Sequence, residues 1–218
     1  MPRDPSGGKA LVRGIWARQI GPMNLEIRPL EGHAVRLEPL EPALEGELRA
    51  ALNCDPDAWE IMSINGCGEG FDDWWGQATG QAGRGERITY AIRRLEDERV
   101  VGTSSFLNIR RLDCGVEIGS TFLHPDVRAG AVNPESKLLM LGHAFDAGAI
   151  RVELVTDSRN VRSQAAILKL GAEKEGVLRQ HKITWTGFVR DTVVFSITDG
   201  DWPAVRDRLR YRLGEDFV

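Results

Sequence analysis

Alternating and helix-spaced runs of apolar residues succeed one another along this chain, separated by short turns. His33-Ala34-Val35-Arg36-Leu37-Glu38 alternates and predicts a first strand. Leu44, Leu48 and Leu52 recur at the spacing of an amphipathic helix, and Asn65-Gly66-Cys67-Gly68-Glu69-Gly70 breaks the pattern. Phe71, Trp74, Trp75 and Ala78 predict a second helix. Ile88, Tyr90 and Ile92 alternate, as do residues 101–109, and the charged Glu96-Asp97-Glu98 between them reads as a hairpin turn. Another strand is expected from Cys114 to Leu123. A helix is expected to begin at Asn133-Pro134-Glu135, with Asn133 as N-cap and Pro134 at the first helical position. A strand over 151–156 leads into a short helix over 161–170, stopped by Gly171. Two strands at about 177–185 and 190–197 and a helix opened by Asp201-Trp202-Pro203 complete the pattern.

Early helices, a meander of strands and then β-α-β-α-β-β predict an α/β fold in which helices cover a mixed sheet. The 218 residues suit one sizeable core. With no repeat or long linker, a single domain is expected over 23–218. Residues 1–22 carry Arg3, Lys9, Arg13 and Arg18 against Asp4, with little apolar periodicity, and read as a flexible tail. The net charge of −4 gives no reason to expect nucleic acid or an anionic membrane as partner. No apolar run approaches the ~20 residues that cross a bilayer. Cys54, Cys67 and Cys114 form no CxxC pair and have no His at zinc-finger spacing. They read as reduced thiols of a cytoplasmic protein without a metal site.

Three segments could carry chemistry. Arg128-Ala129-Gly130-Ala131-Val132-Asn133 joins a strand to a helix with small side chains, so its amides suit a phosphate, with Arg128 as an added cation. An ordinary strand-to-helix connection explains it equally well. Asn160 and Ser163 stand at the start of the next helix, as a cap and a first-turn residue or as polar groups facing a cleft. Glu117, within Val116-Glu117-Ile118-Gly119, falls by alternation on the face of Gly119, Thr121 and Leu123. It is a general-base candidate or a strand carboxylate that faces solvent or pairs with an arginine. Trp74 and Trp75 suit a helix core or an acceptor pocket. His124 and His181 read as structural.

The chain resembles the GNAT acetyltransferases, in particular the RimJ/RimL-like branch that acetylates protein N-termini and various amines. The likeness spans about Leu25 to Leu213. It is carried by residues 32–40 (Gly-His-Ala-Val-Arg-Leu-Glu-Pro-Leu), Val116-Glu117-Ile118-Gly119 and residues 133–139 (Asn-Pro-Glu-Ser-Lys-Leu-Leu). Residues 151–160, 171–179 and Arg190-Asp191 complete it. The resemblance implies a mostly antiparallel sheet splayed between the fourth strand (114–123) and the fifth (151–156), with helices on both faces. It implies acetyl-CoA as cosubstrate and a protein N-terminus or small-molecule amine as acceptor. Phe122 and Leu123 would meet the pantetheine, residues 128–133 the pyrophosphate, and Asn160 and Ser163 the CoA arm and departing sulfur. Glu117 would be the base. A homodimer is a further expectation. Two departures stand out: Ala131 and Asn133 replace the small or glycine positions of the family's loop, and Lys182 stands where some ribosomal-protein acetyltransferases carry Glu. These keep open a non-catalytic CoA-binding module with a sensing or scaffolding role.

Overall fold

The computed structural model describes residues 21–214. Of the tail expected over 1–22, residues 1–20 lie outside the described residues. The strands are β1 (Leu30–Glu31), β2 (Val35–Pro39), β3 (Ile88–Arg94), β4 (Arg99–Arg110), β5 (Gly115–Leu123), β6 (Arg151–Asp157), β7 (Glu173–Ile183) and β8 (Val189–Thr198). The helices are α1 (Glu45–Leu52), α2 (Phe71–Gly83), α3 (Val132–Asp146), α4 (Val161–Leu170) and α5 (Trp202–Leu213). The strands form one eight-stranded sheet in the order β1-β2-β3-β4-β5-β6-β8-β7. Every neighbouring pair is antiparallel except β5 and β6.

Strand alternation sends apolar side chains to both faces, and helices cover each. Phe106, Val116, Ile118, Val152 and Phe195 pack with Met140 and Leu141 of α3, Ile167 of α4 and Leu209 of α5. Ala91, Val100 and Phe122 pack on the other face with Leu48 and Leu52 of α1 and Phe71 and Trp74 of α2. This is the mixed α/β sheet with helices on both faces that the resemblance implies.

Several elements differ from expectation. Asn133 is not the N-cap of α3: the helix opens at Val132 after Ala131, which makes no side-chain cap, and Pro134 lies within the first turn. Those positions still suit proline, because the first amides of a helix have no internal partner. Instead Glu135 anchors this end of α3. Its buried carboxylate accepts the backbone N–H groups of His33, Ala34 and Val35 at 2.6, 2.8 and 2.9 Å. β7 begins at Glu173, earlier than alternation suggests, because it is the sheet's edge and is exposed along most of its length. Gly171 ends α4 with φ of 105°, as its position predicts.

A bulge in β5 changes which side chains face the site. The β4–β5 register shifts between Thr103 and Ser105, and Ser120 takes φ of 47°. Glu117 and Gly119 stay on the α1–α2 face, opposite Val116 and Ile118. Past the bulge the phase is reversed. Phe122 joins the α1–α2 core, while Thr121 accepts a hydrogen bond from α3 and Leu123 packs with the α3 cluster. Thr121 and Leu123 therefore do not share the face of Glu117, as uninterrupted alternation predicts.

β5 and β6 pair only through Gly115 with Arg151, Val116 with Val152 and Glu117 with Glu153. Beyond Glu117 the two strands separate, which is the expected splay. With the short β1 counted, they are the fifth and sixth strands.

Candidate active site

The gap between β5 and β6 opens into a cleft of about 1680 Å³. That exceeds the roughly 300–1,000 Å³ of an ordinary small-molecule pocket, so there is room for two reactants. Residues from both faces of the sheet line it. Trp59, Trp74, Arg87 and Glu117 contribute from the α1–α2 face, and Asn133, Lys137, Asn160 and Ser163 from the α3 side.

Glu117 stands where the strands part. Only 4 % of it is exposed, and one carboxylate oxygen accepts a 2.6 Å hydrogen bond from Asn108 Nδ2. The other oxygen leans over Gly119, where an added Cβ would sit 2.8 Å from it and 3.2 Å from Leu107 Cδ1. The missing side chain at Gly119 makes room for the carboxylate.

Seven of the ten expected cofactor residues, Phe122, Leu123, Arg128, Ala129, Asn133, Asn160 and Ser163, line this one cleft. Gly130, Ala131 and Val132 lie in the connecting loop and helix start outside that lining, with Val132 buried in the core. Ala131 has φ of −72°, so the alanine is unstrained there. The left-handed position of the turn is Ala129, at φ of 68°, which costs a non-glycine residue roughly 1–2 kcal/mol. Arg128 donates from Nε to the Leu123 carbonyl at 2.9 Å and pairs with Asp55 at 2.6 Å, so its charge is already partly offset. Asn160 caps α4 by accepting the Ser163 N–H at 3.0 Å while also lining the cleft. Trp74 likewise serves both core and cleft. His124 holds Asp126 at 2.6 Å, and His181 lies outside the cleft lining.

Other cations also line the cleft, among them Lys137, Arg87 and Arg190. Lys137 is buried on α3 and donates to Ser104 Oγ at 3.0 Å and Thr121 Oγ1 at 2.8 Å. No carboxylate offsets it among the described residues, and burial lowers its pKa to about 7. Its phase is readable, since Met140, Leu141 and Ala144 of the same helix stripe are buried. Arg87, 4 % exposed, rests on Thr89 Oγ1 and Ser105 Oγ, and burial draws its pKa down to about 10. Arg190 donates to Thr192 Oγ1 at 3.1 Å, and burial lowers its pKa as well. Arg190 belongs to the Arg190-Asp191 pair that carries the family likeness, and each of these arginines donates to the threonine two residues further along the chain, Thr89 and Thr192. Lys182, paired in register with Arg190, adds another cation at the cleft.

An aromatic bridge closes one side. Trp59 stacks on Phe122 with ring centroids 4.9 Å apart, and Trp185 of the β7–β8 hairpin donates from Nε1 to the Trp59 carbonyl at 2.7 Å. No group of His, Cys, Asp and Glu among the described residues is placed to hold a metal ion, and no described helix is long and apolar enough to cross a membrane.

Residues 34–173 match the model of the acetyltransferase (GNAT) domain, and the chain belongs to that family. It is 34% identical over 112 residues to the uncharacterised N-acetyltransferase YoaA of Bacillus subtilis strain 168. That match covers 50% of this chain and 62% of YoaA, so the chain spans less than two thirds of the curated relative. A GCN5-related N-acetyltransferase from Brucella melitensis superposes with a TM-score of 0.84 at 26% identity, covering 92% of each chain. RimJ of Mycobacterium smegmatis, solved in complex with CoA-disulfide, has a TM-score of 0.72 at 19% identity over 88% of this chain and 97% of its own. That last likeness is one of fold alone.

Proposed function

We propose that this protein is an acetyl-CoA-dependent N-acetyltransferase that moves an acetyl group to a primary amine by direct transfer in a ternary complex. The observation that carries this reading is the buried Glu117 carboxylate, held over Gly119 at the point where β5 and β6 part. The cleft suits a long polyanionic thioester. It has room for an extended ligand, and the uncompensated Lys137 and the start of α3 offer positive potential beside the loop at 128–133. RimJ, which shares the fold, was solved in complex with CoA-disulfide, in keeping with a CoA ligand for this protein.

In this mechanism Glu117, directly or through a water, takes the proton of the acceptor ammonium. The free amine attacks the thioester carbonyl, and a backbone amide near Phe122 steadies the oxyanion. As the intermediate collapses, Ser163 gives its hydroxyl proton to the departing thiolate and is reprotonated through solvent by the proton that the attacking nitrogen releases. A positioned base contributes about 10²–10⁴-fold. An α-amino group, with a pKa of about 7.7–8.0, asks less of Glu117 than a lysine at about 10.4. The RimJ/RimL-like branch and a cytoplasmic location belong to the same proposal.

Saturating acetyl-CoA is expected to stabilise the protein, by ~2.7 kcal/mol at 100 times its Kd, and an amine panel is expected to release CoA thiol. Absence of both effects refutes the reading. Stabilisation without thiol release from any amine supports the sensing or scaffolding module instead.

A further inference from the structure

Arg87 has no part in acetyl transfer as described, yet it occupies a costly position. A buried cation is ordinarily matched by a carboxylate. Arg87 has only neutral acceptors: Thr89 Oγ1 at 2.6 Å, Ser105 Oγ at 3.0 Å and Gln81 Oε1 at 3.5 Å. No carboxylate lies within ion-pair distance of it among the described residues. A guanidinium carries five N–H donors in a planar fork, so these few contacts leave donor capacity toward the cleft that it lines.

Its location relates it to the proposed base. Thr89 pairs with Ser105 across β3 and β4, and Ser105 pairs with Gly119 across β4 and β5. The three form one cross-strand row on the α1–α2 face. The Arg87 guanidinium lies on the first two members, and the Glu117 carboxylate leans over the third. Cation and anion therefore line the same wall of one cleft, Arg87 over the β3–β4 part of the row and Glu117 over its β5 end. Such a pair is complementary to a zwitterion, with its ammonium toward Glu117 and its acid toward Arg87. A carboxylate suits the site better than a phosphate. A carboxylate fits the planar fork of Arg87 through two parallel hydrogen bonds, whereas a phosphate dianion places more negative charge beside Glu117.

We propose that Arg87 anchors the carboxylate of the acceptor, and that the acceptor is a small amino acid or similar amino-carboxylate. This rests on the reading of Glu117 as base in an acetyl transferase.

The test compares free amino acids with their carboxamides, in wild type and in Arg87→Gln and Arg87→Lys. Rates of CoA release from acetyl-CoA are measured, and binding of both ligand sets to the CoA-saturated protein is measured by calorimetry. Wild type is expected to prefer at least one amino acid over its carboxamide by 100-fold or more in kcat/KM. Arg87→Gln should remove that preference while leaving the KM for acetyl-CoA unchanged, and Arg87→Lys should keep part of it. Arg87→Gln should also melt no lower than wild type, since it removes a buried uncompensated charge; a purely structural arginine would lower the melting temperature. Equal use of acids and carboxamides overturns the proposal, as does a preference that survives Arg87→Gln or faster transfer to peptide N-termini that lack a nearby acid. If no amine releases CoA, the transferase reading fails by itself. Calorimetry then decides the subsite: amino-acid binding lost in Arg87→Gln supports it, and no binding or unchanged binding overturns it.

Discussion

Trp185 donates its indole N–H to the backbone carbonyl of Trp59 at 2.7 Å, joining the β7–β8 hairpin to the segment between α1 and α2 over the cleft. Trp59 in turn stacks on Phe122 of β5. Trp185→Phe keeps an aromatic ring and removes only the donor. A neutral hydrogen bond contributes about 0.5–1.5 kcal/mol, so the melting temperature should change little. The KM for the amine should rise several-fold while that for acetyl-CoA stays near wild type. Steady-state kinetics with each substrate varied will show whether this bridge shapes the acceptor side.

Glu117→Gln preserves shape and the contact with Asn108 but removes the base. The kcat should fall by about 10²–10⁴, with acetyl-CoA affinity by calorimetry nearly unchanged. Unaltered turnover would remove Glu117 from the mechanism. Gly119→Ala supplies an independent test. Its Cβ would lie 2.8 Å from Glu117 Oε1, so it should displace the carboxylate and lower kcat without touching the charge.

Arg128 and Ser163 line the same cleft but are assigned different work. Arg128→Ala removes a cation and the contact that holds the Leu123 carbonyl. It should weaken CoA binding by about tenfold, or 1.4 kcal/mol. Ser163→Ala should act mainly on kcat, because Asn160 caps the Ser163 backbone N–H and not its hydroxyl. Equal losses of affinity in the two variants would contradict the role given to Ser163.

Lys137 gives the protein a distinctive pH response. Its folded pKa of about 7 lies below the unfolded value of about 10.4. Below pH 7 the side chain is charged in both states, and the full cost of its burial is present. Between pH 7 and about 10.4 the unfolded chain binds more protons than the folded one, so stability rises with pH. Lys137→Met should therefore be more stable than wild type below neutrality, with the gap closing as pH rises toward 10. Denaturant melts across pH 5.5–9.5 will read this. The same variant should bind CoA more weakly.

Local chemistry decided which features were legible. Glu117 is readable because Val116 and Ile118 flank it and the strand is regular there. Gly171 is readable because it stops a helix where a left-handed residue is favoured. The start of α3 is not, since Ala131 and Val132 carry no capping side chain while Asn133 and Pro134 imitate a cap two residues later. The first part of β7 is hidden because an exposed edge strand shows no apolar alternation. The reversal at Ser120 leaves no trace, because a serine in the left-handed region resembles any other strand serine. The burial of Lys137 follows from helix phase. Its missing counter-charge depends on which hydroxyls β4 and β5 bring beneath it, and that is a tertiary fact.

The pairing of β5 with β6 through three residue pairs has a mechanical consequence. The sheet is effectively two plates riveted along a short seam: β1 to β5 form one, and β6, β8 and β7 the other. Beyond the rivets, the facing edges of residues 118–123 and 154–157 have no strand across from them among the described residues. A molecule wedged there would serve as mortar as well as reactant. Deuterium uptake along those two edges should slow when the wedge is in place, and the twisting of one plate against the other should stiffen with it.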